Sequence, residues 1–255
     1  MTWLDLLLLL LAGGAAGLIN TVVGSGTLVT FPTLLALGVP SVVANVSNSV
    51  GLTPGSLSGA LATRPELAGQ RSRVIRLGFA SLIGGVLGAL LLLRLPSSAF
   101  DAIVPVLIGL GCVLVVVQPS LSRRVAARRE RLGIGKAPAH GSVLLWLAVL
   151  LTGVYGGYFG AAQGVLLIAV MGIGLAETLP RLNALKNVLA LLVNGVAGLL
   201  FIFISTVNWW AAGAIAVGSV IGAQAGGRVG RRLPPTVYRV VIVAVGVAAI
   251  VNLLR

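Results

Sequence analysis

The sequence predicts an all-α, polytopic membrane protein built from two inverted repeats, each a broken or re-entrant helix pair followed by three transmembrane helices. Three observations predict it. The 255 residues are 58% hydrophobic and 9% charged, whereas soluble domains carry about 25% charged residues. The apolar residues fall in long runs such as 77–93 and 237–254, the signature of membrane spans. Two short stretches of glycine and polar residues interrupt such runs at matching places in the two halves.

Taken in order, the apolar segments are 3–19, 27–37, 42–62, 74–93, 99–118, 142–158, 165–175, 180–204, 209–227 and 237–254. The first has no basic residue before it, so it reads as a span and not as a cleaved leader. The second and seventh hold only 11 residues each. A helix of that length covers about 16 Å, half of a hydrocarbon core about 30 Å thick. Each pairs with the segment before it across a break, at Asn20–Gly26 and at Ala161–Gly164. The remaining segments are long enough to cross.

Charge orients the chain. Arg64, Arg71, Arg73 and Arg76 form one cluster, Arg123, Arg124, Arg128, Arg129, Arg131 and Lys136 a second, and Arg228, Arg231, Arg232 and Arg239 a third. All three are expected on the cytoplasmic side, since short loops rich in Lys and Arg stay inside. The connections near 38–41, 94–99 and 205–208 hold only Arg94, which suits the outside, as does the N-terminus. The net charge of +13 is thus accounted for by topology, and nucleic acid is excluded as a partner. Trp209 and Trp210 open a span as interfacial aromatics do. Gly84 and Gly88, and Gly218, Gly222 and Gly226, are spaced for close helix packing.

The halves align at an offset of 140: Leu10 with Leu150, Gly13 with Gly153, Gly17 with Gly157, Gly24 with Gly164 and Pro40 with Pro180. After a slip of one residue, Asn48 matches Asn187 and Gly59 matches Gly198. The expected organisation is a first repeat over 1–119, a basic cytoplasmic linker over 120–141 and a second repeat over 142–255. The first repeat starts outside and the second inside, which makes the repeat inverted, as in many secondary transporters.

Irregular backbone survives at bilayer depth only when buried in protein or lining a wet cavity. The two breaks are therefore expected to meet near the midplane. The short helices that follow would aim free N–H groups and a positive dipole end at the meeting point, which suits an anion. Gly24, Gly26 and Gly164 leave room for it, and Asn20, Ser25, Thr27 and Gln163 supply donors. Asn183, Lys186 and Asn187 share one helix face, and Asn45 and Asn48 are their counterparts in the first half. Polar stripes of this kind are costly toward lipid and should face the breaks. Lys186 is the ionisable residue deepest in a span, about 9 Å in from Pro180, and is expected to attract the anion.

Enzymatic chemistry is not expected. No HExxH motif, intramembrane histidine or pair of deep carboxylates is present, and His140 lies in a loop. Asp5, Asp101 and Glu177 sit at segment ends, with Glu66 and Glu130 in loops, so no buried carboxylate relay is visible. Cys112 is the single cysteine, and neither a metal site nor a cofactor is expected.

"GLINTVVGSGTLVTFPTLLALGVPSVVANVSNS" resembles the first conserved half of the TauE/SafE sulfite exporter family, also called the toluene sulfonate uptake permease family. "GVYGGYFGAAQGVLLIAVMGIG" followed by "LPRLNALKNVLALLVNGVAG" resembles its second half. The resemblance covers nearly the whole chain. It implies a multi-pass transporter of the cytoplasmic membrane that exports sulfite, organosulfonates or related sulfur-containing anions. An anion channel and a scaffold or sensor without transport are the alternatives. The usual run of three glycines at the first break is here Gly24-Ser25-Gly26, and the second break carries Ala161-Ala162-Gln163-Gly164. The expected partners are a small anion and the bilayer, with a homodimer admissible.

Overall fold

The structure is a computed structural model that describes residues 1–132, 142–229 and 235–253. It is all-helical there. Lys136, His140, Arg231 and Arg232 lie outside the described residues.

The first break separates α1 (Trp3–Val22) from α2 (Thr27–Ala36), and α3 (Ser41–Ala62) follows. Thr2 opens α1 with a capping box to Asp5. Beyond a short 3-10 turn at Arg64–Leu67 come α4 (Arg71–Arg94) and α5 (Ser97–Leu132). The second half repeats the order: α6 (Val143–Tyr158), the break, α7 (Gln163–Gly174), α8 (Leu179–Ile204), α9 (Trp209–Val229) and α10 (Pro235–Leu253). Among the described residues, Trp3–Val22, Arg71–Arg94, Ser97–Ser120 and Leu179–Ile204 are long and apolar enough to cross a bilayer. The chain is a polytopic membrane protein.

Two differences from the sequence reading have simple causes. Helix α5 does not stop near 118 but continues to Leu132. Its extension, "RRVAARRERL", is made of good helix formers, so the basic segment expected as a linker begins as helix. Helix α3 has the length of a span but not the hydropathy of one. Its Asn45, Ser47 and Asn48 are buried inside the protein, so α3 need not satisfy lipid.

Helices pack across the halves. α1 lies along α9 and α4 along α6; α3 touches α9 and α8 touches α4; α2 meets α10 and α7 meets α5. Each pairing of a first-half helix with a second-half helix therefore recurs with the halves exchanged. Small residues make the closest of these contacts. A Cβ on Gly13 would stand 2.7 Å from the Ile215 carbonyl oxygen, and one on Gly226 would stand 3.0 Å from that of Leu18. Backbones this close leave no room for side chains, which is the packing that the glycine spacing predicts. Gly13 faces Ile215, Gly17 faces Ser219 and Gly226 faces Leu18, so α1 and α9 run in the same direction. Thr53 bonds to Asn194 and Thr63 to Asn187, so α3 and α8 run in opposite directions.

Candidate functional site

The two breaks touch. The Gly164 N–H donates to the Gly24 carbonyl at 3.0 Å. Gly24 holds φ at 88°, a left-handed conformation that glycine adopts without steric cost. At the second break Gly160 and Ala162 are left-handed too, and Ala162 is the non-glycine residue with positive φ among those described. Residues of both tips are enclosed, with Ser25 at 1% and Gln163 at 3% exposure.

Four helix ends converge here, and they are treated differently. Helix α1 arrives with its carbonyl end. The Lys186 ammonium donates to the carbonyls of Asn20 at 2.9 Å and Thr21 at 3.3 Å, and Asn183 Nδ2 donates to Thr21 at 3.1 Å. Helix α6 also arrives with its carbonyl end, and Asn45 Nδ2 donates to the Tyr158 carbonyl at 2.9 Å. Thus α8 caps α1, and α3 caps α6. A cation or an N–H donor at a helix C-terminus is the favourable sign for its dipole.

The N-terminal ends of α2 and α7 have no side-chain cap. Around α2, the backbone N–H groups of Ser25, Gly26 and Thr27 have no hydrogen-bond partner among the described residues. The Ser25 hydroxyl, the Gln163 Nε2 group and the Tyr158 hydroxyl are buried without partners. Asn45 Oδ1 and Asn183 Oδ1 are buried without partners as well, and orphaned polar groups cost free energy. Thr27 Oγ1 accepts from Asn48 Nδ2 at 3.3 Å, and Asn48 Oδ1 accepts from the Thr30 hydroxyl.

Of the residues singled out from sequence, Asn20, Gly24, Ser25, Gly26, Thr27, Asn48, Gln163, Gly164 and Lys186 gather at the tips or in direct contact with them. Asn45 reaches them through Tyr158. Asn183 is engaged with the end of α1. Asn187 turns instead to Thr63 Oγ1 at 3.2 Å, beside the C-terminal end of α3. Sequence reasoning overlooked Thr30, Tyr155 and Tyr158. Tyr155 donates from its hydroxyl to the Ala161 carbonyl at 2.6 Å and steadies the second tip. A tyrosine pair inside the glycine-rich "GVYGGYFG" was the available signal. Phe31, Phe100, Tyr158 and Phe159 stack edge to face and cover one side of the tips.

The arginine-rich face carries a separate tie. Glu177, in the connection between α7 and α8, accepts from Arg73 at 2.6 Å and from Arg181 at 2.7 Å. Arg181 also donates to the Ala68 carbonyl at 2.9 Å. Burial opposes the Glu177 carboxylate, but the two arginines outweigh it and hold the group below the usual carboxylate range. A lowered value means the tie is intact above the ordinary carboxylate range and is lost as pH falls through the depressed one. Acidification is therefore expected to weaken this tie only below the range in which ordinary carboxylates protonate. The protection factors of residues 66–76, taken relative to intrinsic exchange, should fall in that window in the wild type and should already be lowered at neutral pH in Glu177→Gln.

The family profile described as sulfite exporter TauE/SafE matches residues 9–253. A "Probable membrane transporter protein" of Haemophilus influenzae is 26% identical over 94% of this chain and 91% of its own length. A "Probable membrane transporter protein ORF9" of a Sinorhizobium species is 25% identical over 96% and 91%. The "Probable membrane transporter protein YfcA" of Escherichia coli K12 is 26% identical over 84% and 76%. With the helical fold and its enclosed polar junction, these matches define a multi-pass membrane transporter for a small molecule. The chain belongs to the TauE/SafE family.

Proposed function

We propose that the chain moves a small sulfur-containing anion, sulfite or an organosulfonate, across the cytoplasmic membrane by alternating access around the two tips. One observation carries the reading. At the junction the negative helix ends are capped by Lys186, Asn183 and Asn45, while the positive end of α2 and the Ser25 hydroxyl are left without partners. The groups left over at the α2 end are donors, and donors at a helix N-terminus hold anions; the unpartnered acceptors Asn45 Oδ1 and Asn183 Oδ1 belong to the side chains that cap α6 and α1.

An inverted repeat is supported by the exchange of packing partners between halves and by the opposed directions of α3 and α8. The tip-to-tip hydrogen bond favours a carrier over an open pore, since the two breaks must part for anything to pass between them. The arginine clusters belong inside, and an interior-negative potential drives a monoanion outward by about 2.3 kcal/mol per 100 mV, which favours export.

Proteoliposomes test this. Sulfite or a small sulfonate is expected to show saturable counterflow, and purified protein to gain thermal stability with the same anion. Single-channel currents would replace the carrier with a channel. Stabilisation by cations alone, with no anion flux, would overturn the proposal.

A further inference from the structure

The charges at the junction point to the charge state of the cargo. Two helices present carbonyl ends there and two present N–H ends, each carrying about half an elementary charge of its sign. These partial charges cancel in pairs. What remains is one whole charge, the ammonium of Lys186, which is 1% exposed. Its stem runs past the second tip, and a Cβ on Gly164 would stand 2.9 Å from its Cδ. Its head lies at the end of α1 beside the first tip.

Among the described residues its hydrogen-bond partners are carbonyls and not carboxylates. Glu177 pairs with Arg73 and Arg181, and Lys186 takes part in neither pair. Asp5 closes the α1 capping box, Asp101 accepts from Ser41, Glu66 lies in the 3-10 turn, and Glu130 sits in the far part of α5. The ammonium makes two hydrogen bonds, both to carbonyls. An ammonium has three donors, so one is left for a ligand.

We infer that the junction selects an anion of one negative charge, with Lys186 as its counter-ion. The inference rests on the proposed anion transport. A monoanion makes the loaded junction neutral. A dianion of the same shape leaves one uncompensated negative charge at bilayer depth, where net charge is expensive. The matching cargo class is therefore a singly ionised oxyanion such as hydrogensulfite or a monosulfonate, and not sulfate.

Methanesulfonate and sulfate separate the possibilities. Both are compact and tetrahedral, and neither changes charge between about pH 6 and pH 8. Binding is measured calorimetrically on the wild-type protein in lipid nanodiscs. Methanesulfonate is expected to bind at least about tenfold tighter than sulfate. Lys186→Arg should keep the preference, and Lys186→Gln should lose it. Equal or tighter sulfate binding by the wild type would overturn the charge selection and leave anion transport standing. Binding of neither, together with no flux of sulfite or any sulfonate, would remove both.

Discussion

Lys186→Met is expected to abolish anion flux in proteoliposomes while the protein still folds. The two effects separate because the ammonium has two jobs of different weight. Toward folding, it caps the carbonyls of Asn20 and Thr21 from inside the protein. Losing that cap orphans the Asn20 carbonyl, a cost of about 1–3 kcal/mol. Thr21 keeps the bond from Asn183. Removing a buried charge at the same time returns a comparable desolvation penalty, so the net change in stability is small. Toward the anion, nothing in Met replaces a charge-assisted hydrogen bond worth about 1.5–3 kcal/mol, which is about 10–150-fold in affinity. Flux at sub-saturating anion should fall by at least that factor, with a normal gel-filtration profile. Lys186→Arg should recover part of it. An unchanged KM and maximal rate in Lys186→Met would remove Lys186 from the site.

Gly164→Ala and Gly24→Ala are expected to damage both folding and transport. A Cβ on Gly164 would stand 2.5 Å from Gly24 Cα and 3.1 Å from its carbonyl oxygen. Both are backbone atoms and cannot swing away, so the tips must part and the Gly164 to Gly24 hydrogen bond must lengthen. Overpacking of this kind costs about 1–3 kcal/mol. At Gly24 the same crowding adds to a left-handed φ of 88°. An L-residue pays about 1–2 kcal/mol more there, making about 2–5 kcal/mol in all. The check is the thermal midpoint in detergent, with flux measured on whatever protein survives. Gly195→Ala is the control. It sits in α8 with no atom within 4 Å of its would-be Cβ, and should be neutral or stabilising by up to about 1 kcal/mol. Equal midpoints for Gly164→Ala and wild type would show that the tips are not closely packed.

Much of the fold was legible because lipid imposes simple rules. Apolar length and loop arginines located the helices within a few residues, and the 11-residue segments became α2 and α7. The breaks were legible because glycine and polar residues have no other business inside an apolar run. The α5 extension was missed because a run of arginines was taken as loop, although arginine is a good helix former. Ser25 and Gln163 were singled out by their position in the breaks, and each is buried with a polar atom that has no partner. Asn187 was placed on the right face but one turn too close, since it pairs with Thr63 beyond the tips.

The sequence by itself determined that the chain lives in a membrane, where its helices break and which residues stand at the breaks. These follow from hydropathy and local backbone preference, which act between near neighbours. Only the tertiary structure decided what the breaks meet and which helix end each side chain serves. Lys186 finds the end of α1 across 165 residues of sequence, and Asn45 finds the end of α6 across 113. Such partners are chosen by the packing of α8 against α3 and α4 and of α1 against α9, and no local pattern encodes them. That packing holds the Lys186 ammonium at the end of α1 and leaves the N–H end of α2 without a side-chain cap, the two features on which the proposed preference for a single negative charge rests.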